Sequence, residues 1–204
     1  MRIYFIRHGE TTGDVEDRYG GAYDDELSQA GHEQSETMAA ILAKSGIESL
    51  YVSPLKRAQE TAGYIARATN AEIVTVAGLR ERNQYGILTG VAKTVARETR
   101  PDLVEALGDR MNTIEGAESY SDFASRIETA VEAILAQAQR ESRRKIGIVW
   151  HGGPMRVLFR DVLKWGELSK IGDCSTVELD YQESVWRFVD AAGIAFDFDT
   201  KKYV

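Results

Sequence analysis

Cysteine is almost missing from this chain. Cys174 stands alone among 204 residues, so no intrachain disulfide can form, and the composition suits a reducing compartment. Long apolar runs are missing too. The N-terminal one, Ile3 to Ile6, ends within four residues and Glu10 follows soon after; it is neither a secretory leader nor a membrane span. A cationic excess is lacking, since the formal net charge is −7, and a nucleic-acid partner would need a broad basic face. Histidine is scarce, three in all, with no His-Glu-x-x-His spacing. The carboxylates at 14–26 read as a loop rather than a cage, so no metal and no other cofactor is expected. No serine or cysteine stands on a nucleophile-elbow pattern, which disfavours acyl transfer. Repeats, low-complexity segments and interdomain linkers are also absent. The expectation is a soluble cytoplasmic chain with one domain over 1–204. Its oligomeric state stays open, and a homodimer is compatible with the composition.

What the chain does have is alternation of strands and helices. Ile3 to Ile6 make a buried strand that ends abruptly in Arg7-His8-Gly9. Residues 12–26 read as a polar loop. Ser28 caps a helix through about residue 44, residues 48–52 are a second strand, and Ser53-Pro54 read as cap and first position of a helix to about residue 68. A third strand covers 72–76. Residues 78–118 carry five glycines and one proline and predict an irregular excursion over an active site. Ser119 with Asp122 predicts a capping box opening the longest helix, about 120–143, whose core face is Phe123, Ile127, Val131, Ile134 and Leu135. Lys145 to Trp150 form a fourth strand ending in His151-Gly152-Gly153, Pro154 starts another helix to about residue 164, and 175–181 with 184–190 close the chain as a strand pair. This order predicts an α/β fold, a three-layer α/β/α sandwich with a mostly parallel central sheet.

In such sheets ligands sit at the carboxyl ends of the strands. Each of the first four strands brings a polar group there: Arg7 and His8, then Arg57 in the first turn of a helix, then Glu81, then His151 just before a helix N-terminus. Arginines beside a helix start suit a phosphoryl group. A neutral imidazole can attack phosphorus, and a carboxylic acid beside it can protonate the leaving oxygen.

Arg7-His8-Gly9-Glu10-Thr11 resembles the signature of the histidine phosphatase superfamily, which includes cofactor-dependent phosphoglycerate mutases and many phosphatases. Ser53-Pro54-Leu55-x-Arg57-Ala58-x-x-Thr61-Ala62, Leu79-Arg80-Glu81 and His151-Gly152-Gly153 resemble its later motifs, in order over nearly the whole chain. The resemblance implies that His8 becomes phosphohistidine, that Arg7, Arg57, His151 and Gly152 surround the phosphoryl oxygens, and that Glu81 serves as acid and then base. Neighbouring cations should hold His8 neutral. Glu81 must carry a proton when the ester binds, which predicts a mildly acidic to neutral optimum. Asp14 stands where many relatives carry Asn, and Arg18 matches an arginine near the pocket; both are secondary site candidates. His32 matches no catalytic position and reads as a helix-surface residue. Glu81-Arg82-Asn83-Gln84-Tyr85-Gly86 with Lys93 resembles the mutase segment that contacts phosphoglycerate. Arg82, Tyr85 and Lys93 are therefore candidates for an anionic substrate tail. One extra residue and a short connection from Lys93 to Gly116 depart from the mutase pattern and favour hydrolysis of a small phosphorylated metabolite. The alternatives are mutase chemistry and, more remotely, a non-catalytic phospho-ligand binding module.

Overall fold

Side-chain alternation along the first strand explains the layering. In the computed structural model, which describes residues 1–204, Ile3 and Phe5 of β1 (Arg2–Arg7) face one core and Tyr4 and Ile6 face another, as a period of two requires. Strands β2 (Ser49–Val52), β3 (Glu72–Thr75) and β4 (Lys145–Trp150) run parallel to β1 in the order β3-β2-β4-β1. Two long antiparallel strands, β5 (Leu168–Gln182) and β6 (Val185–Phe196), extend the sheet beyond β1. The three layers and the mostly parallel sheet match the expectation.

On one face lie α2 (Gln29–Leu42) and α3 (Lys56–Thr69), over a 14-residue buried cluster. On the other lie α6 (Tyr120–Arg140) and α7 (Gly152–Val157), over a 21-residue cluster. Phe123, Ile127, Val131, Ile134 and Leu135 of α6 are all buried, each contributing about 1.5–3 kcal/mol by leaving water. Ser119 caps α6 through the Asp122 amide. Gly31 at the start of α2 approaches the β1 loop so closely that a Cβ there would meet the Glu10 carbonyl at 2.0 Å. The excursion over 78–118 holds α4 (Lys93–Thr99) and α5 (Pro101–Ala106) around a small core of Tyr19, Leu88, Ala96 and Ile114.

Several boundaries differ from expectation. One helical turn, α1 (Thr12–Val15), interrupts the supposed loop, because Thr11 and Asp14 form a capping box. Helix α3 is capped at Leu55, leaving Ser53 and Pro54 outside it; Ser53 is drawn instead to His151. Helix α6 stops at Arg140, and Ser142 takes a left-handed φ of 56°. Helix α7 begins at Gly152, two residues before Pro154, and continues as a π-turn over Leu158–Val162. Both closing strands are longer than their alternation suggests, and β5 is irregular between Ile171 and Thr176.

Candidate active site

The strand β1 ladder does not end at Arg7. The His8 amide donates to the Trp150 carbonyl at 3.1 Å, and the His8 carbonyl accepts from the Cys174 amide at 3.1 Å. His8 is thereby clamped between the end of β4 and the irregular middle of β5. Its Nδ1 lies 2.7 Å from the Gly9 carbonyl. A carbonyl only accepts, so the geometry assigns the ring proton to Nδ1 and the lone pair to Nε2. Arg57 Nε donates to that Nε2 at 3.2 Å. Burial first, then the charges of Arg57 and Arg7, hold His8 well below the ordinary histidine range, so the ring is neutral.

His151 lies behind it, fully buried, with the two imidazole centroids 5.0 Å apart. Burial and the charge of Arg57 also keep His151 well below its ordinary range. The Ser53 hydroxyl meets its Nε2 at 2.7 Å and accepts the Leu55 amide at 3.4 Å. The hydroxyl can donate to His151 Nε2 while accepting the Leu55 amide, and in that arrangement the ring proton lies on Nδ1. That nitrogen is buried without a partner in the protein.

Arg57 enters from the first turn of α3 and is 3% exposed. Its Nη1 donates to Asp25 at 2.7 Å and to the Tyr23 carbonyl at 2.6 Å, and its Nη2 donates to the Gly21 carbonyl at 2.9 Å. Arg7 donates to the Ile171 carbonyl and pairs with Asp173 at 3.1 Å, while its Nε is buried and unpartnered. Burial pushes the Asp173 carboxyl above its ordinary range, although Arg7 opposes this.

Glu81 arrives from the segment after β3. Arg126 of α6 braces that segment by donating to the carbonyls of Gly78 and Arg80. Glu81 accepts the amides of Arg82 at 2.8 Å and Gly153 at 2.9 Å. A side chain at Gly153 would push the carboxylate out of this seat, since a Cβ there would stand 2.0 Å from Glu81 Oε1. The same glycine makes the first turn of α7 and seats the carboxylate.

Two adjoining cavities meet at these groups. One, of 220 Å³, is lined by Arg7, His8, Asp14, Arg18, Arg57, Glu81, Tyr85, Lys93 and Gly152 among others. The other, of 340 Å³, runs from Arg7, Glu81 and Gly152 toward Arg82, Arg110, Tyr120, Arg156 and Arg160. Nine of the site residues expected from sequence thus line one cavity, and His151 stands directly behind it. Arg82 faces the other cavity.

The secondary candidates have other attachments. Asp14 closes the α1 capping box through Thr11. Arg18 donates to the Gly90 carbonyl and pairs with Glu16. Tyr85 stacks obliquely on Tyr19 at 4.7 Å. Lys93 pairs with Asp17. Arg82 donates to the carbonyls of Glu118, Arg110 and Asn112. His32, as expected, sits on α2, and its ring meets the Tyr64 hydroxyl at 3.2 Å. Sequence reasoning missed Ser53 as the partner of His151, and it missed Asp25 and Asp173, the counter-ions of the two arginines. Asp25 lay inside an acidic run, Asp24-Asp25-Glu26, that reads as solvated; only its single buried member distinguishes it.

The chain is similar to several known proteins. The chain is 34% identical over 162 residues to phosphoglycerate mutase-like protein 4 of Arabidopsis thaliana, covering 77% of this chain and 69% of that protein. It is 29% identical to a metal-independent phosphoserine phosphatase of the same organism, covering 90% and 78%. A mycobacterial glucosyl-3-phosphoglycerate phosphatase superposes with a TM-score of 0.78 at 26% identity, covering 95% of this chain and 99% of that one. No helix is long and apolar enough to cross a membrane. The pattern of histidine phosphatase superfamily branch 1 matches residues 3–192, and the chain belongs to that superfamily.

Proposed function

We propose that this chain hydrolyses a small phosphomonoester through a phosphohistidine on His8. One observation carries the reading: a buried imidazole, neutral, with its proton tied to Gly9 and its Nε2 lone pair facing a guanidinium. In the first step Nε2 forms a bond to phosphorus as the phosphorus–ester oxygen bond breaks. Glu81 gives its proton to the departing oxygen. Arg7 Nε, the remaining Arg57 Nη2 proton and His151 Nδ1 supply donors toward the developing charge. In the second step water attacks phosphorus, Glu81 takes a proton from it, the nitrogen–phosphorus bond breaks and phosphate leaves.

The mutase reading has support in the named mutase-like relative and in the segment from Glu81 to Lys93. Against it, Arg82 and Lys93 already donate to protein oxygens, and a mutase must hold a second anion while it turns over. A rapid quench with labelled ester in base, followed by acid treatment, tests the proposal. An acid-labile phosphoenzyme that forms within one turnover and vanishes in His8→Ala supports it; its absence rejects the covalent route. Turnover of 3-phosphoglycerate, with and without a bisphosphate primer, separates phosphate release from isomerisation.

A further inference from the structure

We infer that the 340 Å³ cavity seats the alcohol half of the substrate, and that Arg156, assisted by Arg110, selects phosphomonoesters whose alcohol half carries an anion of its own. This rests on the phosphohydrolase reading above and names its substrate class. Glu81 lines both cavities. The oxygen it protonates therefore stands at their junction, with phosphorus on the His8 side and carbon on the other.

The arginines of the second cavity are not equivalent. Arg82 holds backbone carbonyls. Arg160 is paired with Glu167 and Asp161. Arg110 stacks over the Tyr120 ring at 5.7 Å and reaches Glu167 only at 4.0 Å. Arg156, half-buried, has neither a hydrogen bond nor an ion pair with any protein group. A partly desolvated guanidinium without a counter-ion is costly, and a carboxylate or phosphate of a ligand would satisfy it in a bidentate fork. Arg156 lies five residues beyond His151 on α7, about 7.5 Å along the helix axis. Its side chain leans back toward the helix start, where Gly152 and Gly153 meet Glu81. The second anion therefore lies a few bonds from the ester oxygen. Only Tyr120, Phe123 and Ile171 of the twelve lining residues are hydrophobic, so a large apolar alcohol gains little there. The anion-tail role expected of Arg82 and Lys93 passes to a residue that the motifs did not single out.

The test compares matched esters with the purified full-length chain: 3-phosphoglycerate against glycerol 3-phosphate for a carboxylate, and 1,3-propanediol bisphosphate against its monophosphate for a phosphate. Wild type should favour at least one anion-bearing member by about tenfold or more in kcat/KM. Arg156→Gln should bring that ratio below about threefold, Arg156→Lys should retain part of it, and Arg110→Gln should reduce it less. Thermal melting verifies that each variant is folded; if Arg156→Gln is not, the lysine variant and Arg110→Gln carry the comparison. Equal use of both members by wild type, or an unchanged ratio in folded variants, overturns the inference. A wild type that hydrolyses none of the esters overturns the phosphohydrolase reading instead, and calorimetric binding of the same pairs then decides the subsite alone.

Discussion

The two cavities are built from different materials. The cavity proposed for the phosphoryl group hangs on rigid elements: His8 between the end of β4 and the irregular middle of β5, Arg57 in the first turn of α3, and His151 fully buried at the end of β4. The alcohol side takes Arg82 and Arg110 from the excursion, with Arg110 57% exposed, and sets them against α7 and its π-turn. Bond making to phosphorus tolerates little displacement, so it sits where the sheet determines position. Selection of the alcohol tolerates more, so it sits on a segment whose length can change without disturbing the sheet.

That contrast can be broken or sharpened experimentally. The largest effect belongs to the rigid side: His8→Ala should lower kcat for any phosphomonoester by about ten-thousandfold or more, because no other imidazole lines the cavity and the proposed route runs through that ring. A residual rate within tenfold of wild type would place the chemistry elsewhere. Asp25→Ala should come next on the stability scale. It strands Arg57 beside it, both side chains being 4% exposed, and should lower unfolding free energy by about 3 kcal/mol. The exposed Arg100–Asp102 pair is the control, since Asp102→Ala should change it by under about 0.5 kcal/mol; equal losses would deny the buried pair its role.

Gly153→Ala tests the seam between the cavities. Its methyl would displace Glu81, and kcat should fall about 10–100-fold with the fold retained by circular dichroism. An unaffected kcat would mean that Glu81 need not sit at the helix start. The last effect concerns pH and stability. Both site histidines are held below the ordinary range, so the unfolded chain binds more protons than the native one as pH falls. Their contribution is complete above about pH 6.5 and is lost below it, at about 1.4 kcal/mol per pH unit for each ring. Denaturation curves between pH 7.5 and 5.5 measure that slope. It should shrink in His8→Gln, and an unchanged slope would mean that the ring titrates normally in the folded protein.

Much of this was legible in the order of residues. The apolar period of Ile3–Ile6 and of the α6 face announced layers, since periodicity is local. Arg7-His8, Arg57, Glu81 and His151 were legible because each follows a strand, and strand ends gather at one edge of a parallel sheet. Pro54 misled, since a first-turn proline and a proline just before a helix look alike until the Ser53 hydroxyl finds His151. The partners of Arg82 and Lys93 were not legible for a similar reason: a cation's partner lies across space, and theirs are carbonyls and Asp17.

Sequence alone determined the layered α/β fold, the family and most of the residues that line the 220 Å³ cavity, because patterning and motif spacing act along the chain. Tertiary structure decided the rest. It set the tautomer of His8, the carboxylates opposing Arg7 and Arg57, the contact that seats Glu81 against Gly153, and which arginine stays free. Those depend on distances between residues far apart in the chain, where burial makes each unpaired charge or misplaced methyl costly.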